Sequence, residues 1–135
     1  MACVARVFNN NNQTVTADET ALTLLGTTVV NNTDFITVDT GDFTVHRNGV
    51  YHLSADVTFT PSATTSSAST IEVYWSNNGT LLPCTLSTVA TSGATTVHTE
   101  TDIRLGVCPM IQPTLTLCIK GAAGTVSHIS AAVSA

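Results

Sequence analysis

Between Tyr51 and Phe59 every odd position is apolar and every even one polar. Tyr51, Leu53, Ala55, Val57 and Phe59 alternate with His52, Ser54, Asp56 and Thr58. Successive side chains of a strand point to opposite faces, so one face can be buried while the other meets water or a partner. A helix would scatter the same residues around its circumference. Pro61 closes the run, because it has no N–H to give to a ladder. Upstream, Thr40-Gly41-Asp42 signals a turn, Phe43 to His46 a short strand, and Arg47-Asn48-Gly49 a second turn. Thr40 to Pro61 reads as a hairpin-like unit at the centre of an all-β chain.

The same period returns along the chain. Ile71, Val73 and Trp75 alternate with Glu72 and Tyr74; Val97 to Leu105 alternate with His98, Glu100, Asp102 and Arg104. Leu115, Leu117 and Ile119 alternate with Thr116, Cys118 and Lys120, and Ile129, Ala131 and Val133 with His128, Ser130 and Ala132. Shorter extended pieces are expected at 3–8, 13–16, 21–30 (broken at Gly26), 35–38, 80–82 and within 84–89. Asn78-Gly79 is the strongest hairpin-turn signal. The small-residue stretch from Ser62 to Ser69 reads as an exposed loop at one end of the domain. About eight to ten short strands punctuated by turns predict a β-sandwich or jelly roll.

Composition narrows what such a sandwich can do. The 135 residues suit a single domain spanning 1–135, long enough to bury an ordinary core. Threonine fills roughly one position in five and, with valine, suits a half-buried pleated surface. Only four residues are Lys or Arg and the net charge is −5, which argues against a nucleic-acid partner. No apolar run approaches a membrane span. The opening MACVARVFNN lacks the basic and apolar regions of a signal peptide, so the chain is expected to be complete and made in a cytoplasm. Cys3, Cys84, Cys108 and Cys118 show no metal-type spacing. They read as free thiols, with a Cys84–Cys108 bridge as the open alternative.

The stretch TGDFTVHRNGVYHLSADVTF resembles the signature of the jelly-roll superfamily that includes tumour necrosis factor and the globular heads of complement and collagen-like proteins. The matching residues are Gly41, Phe43 and Gly49-Val50-Tyr51, opening a strand whose core face is Tyr51, Leu53, Ala55, Val57 and Phe59. After Arg104-Leu105 the chain continues Gly106-Val107-Cys108-Pro109, where the family often has a Gly-Asp turn, and it carries no collagen-like stalk. The resemblance implies a two-sheet antiparallel jelly-roll sandwich and three copies packed about a threefold axis. It places His52, Ser54 and Asp56 toward that axis, joined by Thr116, Cys118, His128 and Ser130.

Recognition is expected in loops 62–69, 77–80 and 86–94, with Ser66, Ser67, Asn77 and Asn78 as the leading contacts. Trp75 and Tyr74 read as core before contact. His52 and His128 could form metal-binding rings on an axis, and Glu72, Glu100 and Asp102 a calcium site, but satisfied interfacial histidines and a solvated carboxylate face are the simpler readings. No metal and no cofactor are expected. There is no Gly-x-Ser-x-Gly elbow and no glycine-rich phosphate loop, so catalysis is not expected. The function expected is that of a non-enzymatic homotrimer on a phage particle: a head fibre, decoration or tail-associated knob. Its partners would be itself, other virion proteins and host-surface or mucosal carbohydrate or protein. The alternative is a trimeric head on a bacterial spore or cell surface. A jelly-roll enzyme would need a His/Glu metal cluster on inward faces, and here those faces are apolar.

Overall fold

The computed structural model describes residues 2–62, 69–91, 93–107 and 111–135. Ser66, Ser67 and Cys108 lie outside the described residues. Among the described residues thirteen strands follow one another. They are β1 (Cys3–Asn9), β2 (Gln13–Val15), β3 (Thr20–Ala21), β4 (Thr27–Asn31), β5 (Ile36–Val38), β6 (Phe43–Val45) and β7 (Gly49–Pro61). The second half supplies β8 (Ser69–Asn77), β9 (Thr80–Leu81), β10 (Ser87–Thr91), β11 (Thr95–Leu105), β12 (Thr114–Lys120) and β13 (Gly124–Ser134). The count exceeds the expected number because short pieces such as β3, which pairs with β12 far along the chain, find partners only through tertiary contacts.

The strands form two antiparallel sheets. A six-stranded sheet runs β11-β7-β13-β1-β4, with β2 beside β13; a seven-stranded sheet runs β10-β8-β12-β6-β5, with β3 beside β12 and β9 beside β8. The chain crosses between sheets after β2, β3, β4, β6, β7, β10, β11 and β12. Strands adjacent in space are therefore seldom adjacent in sequence. Tyr51, Leu53, Ala55, Val57 and Phe59 pack, at 1% exposure or less, against Ile71, Val73, Trp75, Leu115, Leu117 and Ile119 in one continuous core. Val126, Ile129, Ala131 and Val133 join it from β13. A shift in the β13–β7 register between Val126 and His128 re-phases the strand, so that Val126 and Ile129 both point inward.

The signature residues have separable physical roles. Phe43 is fully buried beside Trp75, with ring centroids 5.8 Å apart. Tyr51 buries its ring, and its hydroxyl donates to the carbonyl of Arg47 at 2.6 Å, tying the strand to the turn before it. The Arg47 guanidinium then lies over the Phe35 ring at 5.0 Å. Asn78 and Gly79 both adopt positive φ (51° and 83°), the twist a two-residue hairpin needs.

Two expectations change. Residues 86–94 were expected to be a recognition loop, yet 87–91 form β10, paired along β8 from Ser87↔Val73 to Thr91↔Ser69. Pro83–Thr85 is a short 3-10 turn, so the strand predicted within 84–89 starts later. The Thr85 hydroxyl donates to the Leu82 carbonyl at 2.7 Å and accepts from the Trp75 N–H at 2.8 Å, which fixes that turn against β8.

Both tyrosines of the chain are buried, at 1% exposure. Burial pushes the Tyr51 phenol up, with Arg47 opposing it. Burial also pushes Tyr74 up, and its hydrogen bond to Glu19 adds to the effect. Neither should ionise near the ordinary value of about 10 while the chain is folded. In an alkaline titration followed by tyrosinate absorbance, ionisation is expected to coincide with unfolding seen by circular dichroism. A phenolate signal at the ordinary value in folded protein would contradict this environment.

Candidate functional site

The outward face of the six-stranded sheet carries the most organised polar chemistry among the described residues. Along β7 the residues opposite the core set are His52, Ser54, Asp56 and Thr58. Strand β11 pairs with β7 so that Asp102 stands opposite His52, Glu100 opposite Ser54, and His98 opposite Asp56. On the other flank, β13 sets Ser134 opposite His52, Ala132 opposite Ser54, and Ser130 opposite Asp56. The centre of the face is thus small and uncharged, and its charge lies along the β7–β11 seam.

Five side chains there form an unbroken row. His52 Nδ1 donates to Asp102 Oδ1 at 2.8 Å, and its Nε2 lies 3.5 Å from Glu100 Oε2. The same Glu100 oxygen is 3.4 Å from Nε2 of His98, whose Nδ1 donates to Asp56 Oδ1 at 2.7 Å. The order is Asp102–His52–Glu100–His98–Asp56, carboxylate and imidazole in alternation. The hydrogen bond to Asp56 holds His98 above its usual value, with Glu100 adding to the effect and partial burial opposing it. Exposed pairs of this kind add about 0–1 kcal/mol each to a fold, so the row contributes little to protomer stability.

Not all the predicted axis residues come together. His52, Ser54, Asp56, His128 and Ser130 share the outward face of one sheet. Thr116 and Cys118 do not: they sit on β12, in the other sheet. Alternation reveals which side of its strand a residue takes, not which sheet the strand joins. Cys118 is buried at 2% exposure next to Ser76 and opposite Tyr74, and burial pushes its thiol up. His128 pairs with Thr58, and its Nδ1 contacts Asn10 Oδ1 at 2.5 Å, at the turn after β1. It lies six residues along β7 from His52, roughly 20 Å at strand rise, so the two histidines cannot share one ring.

His98, Glu100 and Asp102 belong to this face as fully as His52 does. Their strand shows a clean alternation, but its partner and register are set by the crossovers between sheets. Among the described residues, no three His, Cys, Asp or Glu side chains close around a point that would hold a metal ion. Asn77 and Asn78 stand at the β8–β9 hairpin, with Asn78 exposed, its N–H donating to the Thr114 carbonyl at 3.0 Å. Leu81 and Leu86, at 37% and 41% exposure, give that end an apolar margin. The described flanks of segment 63–68 lie at the opposite end of β8 from Asn77.

No family model matches the sequence, and no curated protein matches it. Solved structures do. The chain is similar to the Eiger TNF of S. frugiperda, with a TM-score of 0.66 at 13% identity, covering 100% of this chain and 94% of that one. It is similar to murine APRIL at pH 8.0, with a TM-score of 0.65 at 16% identity and 98% of each chain covered. The globular domain of zebrafish complement 1qA gives a TM-score of 0.53 at 13% identity, covering 94% of this chain and 93% of that one. The two-sheet antiparallel sandwich of this chain is therefore a jelly roll of the tumour necrosis factor and complement globular-head type.

Proposed function

We infer that the protein is a non-enzymatic, self-associating structural or adhesion module that works as a homotrimer. The observation that carries this reading is the outward face of β11, β7 and β13. It is a broad three-strand surface whose central side chains, Ser54, Ala132, Ser130 and Thr58, are small and already half-buried in the protomer. Small side chains let a neighbouring backbone approach closely, and the fold type supports a threefold arrangement on this sheet. The adhesive end is the β8–β9 hairpin, where Asn77 and Asn78 offer amide groups beside Leu81 and Leu86.

Within this reading the trimer sits on the surface of a phage particle, as a head fibre, decoration or tail-associated knob, and contacts other virion proteins or host-surface carbohydrate. Light scattering of the purified chain is expected to give three times the 14.0 kDa protomer mass. A protomer mass under all conditions would remove the trimer. Immunogold labelling of purified particles tests the location, and absence of label on intact particles would remove that part alone. Replacing Asn78 with Gly is expected to weaken binding on a glycan array by about two- to tenfold if its amide makes one neutral hydrogen bond to the sugar. Unchanged array binding would place adhesion elsewhere.

A further inference from the structure

The alternating row on β7 and β11 has a property that a solvated carboxylate face lacks: each imidazole has a carboxylate at both of its nitrogens. His52 faces Asp102 and Glu100, and His98 faces Asp56 and Glu100. A neutral imidazole carries one N–H, so it can satisfy one of its two carboxylates and must aim a lone pair at the other. The imidazolium donates to both. Two carboxylates per ring match the two donors of an imidazolium, and histidine is the side chain whose charge ordinarily changes near neutral pH.

We propose that this row is a proton-operated latch on self-association, closing the seam between copies when His52 and His98 are protonated and loosening it when they are not. The proposal rests on the trimer reading above and adds its regulation. With both rings charged, the three carboxylates of the row are left with one uncompensated negative charge. With both neutral, all three are uncompensated. Closing the sheet face on other copies brings their rows toward one another and removes part of their water, and charges closer than the Debye length of about 8 Å at physiological salt are little screened. Like charges then repel with far less screening than on the free protomer.

The surroundings leave the task to these residues. Strand β11 is the edge of the sheet, and β13 offers only Ser130, Ala132 and Ser134 beside the row. His128 is engaged with Asn10 farther along β13. Arg104, two residues beyond Asp102 on the same face, stands opposite Val50, and Arg6 is two strands away beside Ala132. Neither contacts the row among the described ion pairs. Lys120 pairs with Glu72 on the other sheet.

Sedimentation equilibrium from about pH 5.5 to about pH 8.5 at fixed ionic strength tests the latch, with circular dichroism at each point confirming a folded protomer. The association constant should fall by up to about tenfold per pH unit for each proton taken up on association. The double variant His52→Gln, His98→Gln should associate as weakly at low pH as the native chain does at high pH, with its pH dependence lost. That variant also controls for the general fall in net charge as pH approaches the isoelectric point near 5.0. Glu100→Gln should strengthen association at the alkaline end. A trimer whose constant does not move with pH, or a double variant that keeps the native dependence, would overturn the latch while leaving the trimer standing. A protomer mass at every pH would overturn both.

Discussion

Replacing Gly124 with Ala is expected to prevent the chain from folding, or to lower its stability by at least about 3 kcal/mol. Gly124 opens β13, where it pairs with Pro61 of β7 and Val15 of β2. A Cβ there would stand 2.3 Å from the Thr60 carbonyl oxygen and 2.6 and 2.7 Å from two atoms of the Phe59 ring. None of these can yield easily. The carbonyl is backbone, and Phe59 is fully buried in the core. Relief requires β13 to leave β7 at its first residues, which also frees β2. With a total stability of about 5–15 kcal/mol, a chain of this size tolerates little of that.

The control is Gly49→Ala. Gly49 belongs to the sequence signature, yet an added Cβ meets only a Tyr51 ring carbon at 3.7 Å, an ordinary contact. Its effect should stay within about 1 kcal/mol. Thermal melts followed by circular dichroism compare the two, and a Gly124→Ala protein melting with the native chain would show that β13 does not approach β7 as described.

Trp75→Ala is expected to cost about 3–5 kcal/mol, the range for emptying a large buried aromatic site. Trp75 is the one tryptophan of the chain, fully buried on β8, and its tilted contact with Phe43 joins β8 to the signature strand β6 across β12. Its indole N–H is buried with no hydrogen-bond partner among the described residues. Trp75→Phe therefore removes an unsatisfied donor along with part of the ring, and should cost less than about half of what the alanine variant does. Chemical denaturation read by circular dichroism measures both. Equal losses would mean that the indole N–H is satisfied.

The inward faces of the long strands were legible because period-two alternation and burial report the same thing: Tyr51 to Phe59, Ile71 to Trp75 and Leu115 to Ile119 all point as their sequence says. Strand β13 was legible only from His128 onward. The irregularity between Val126 and His128 breaks the period, hiding Gly124 to Ser127. Sheet membership was harder still. Thr116 and Cys118 alternate as cleanly as Ser54 and Asp56, yet the crossover after β11 sends them to the other sheet. Tyr74 lies opposite the core side of β8 and is nonetheless 1% exposed, covered through its contacts with Cys118, Lys120 and Glu19. The glycines tell a similar story. Gly41 and Gly49 carry the signature, while Gly26, Gly121 and Gly124 are the ones crowded by backbone carbonyls.

The candidate row was half legible. His52 and Asp56 follow from the alternation of β7, but His98, Glu100 and Asp102 come opposite them through a pairing between strands separated by β8, β9 and β10. No local turn sets that register. It follows from the crossovers, and with it the alternation of acid and imidazole.

The central claim, that copies of this chain meet through the outward face of β11, β7 and β13, is tested most directly by the solution mass of two glutamate variants measured beside the native chain. Ser54→Glu adds a carboxylate at the middle of that face, opposite Glu100, where a like-charge cross-strand pair costs the protomer only about 0.2–1 kcal/mol. Thr88→Glu adds one on the exposed face of the other sheet, opposite Glu72. The expected result is a trimer for the native chain and for Thr88→Glu, and a folded protomer for Ser54→Glu. A native chain that is a protomer at every pH, or a Ser54→Glu chain that remains a trimer, would contradict it.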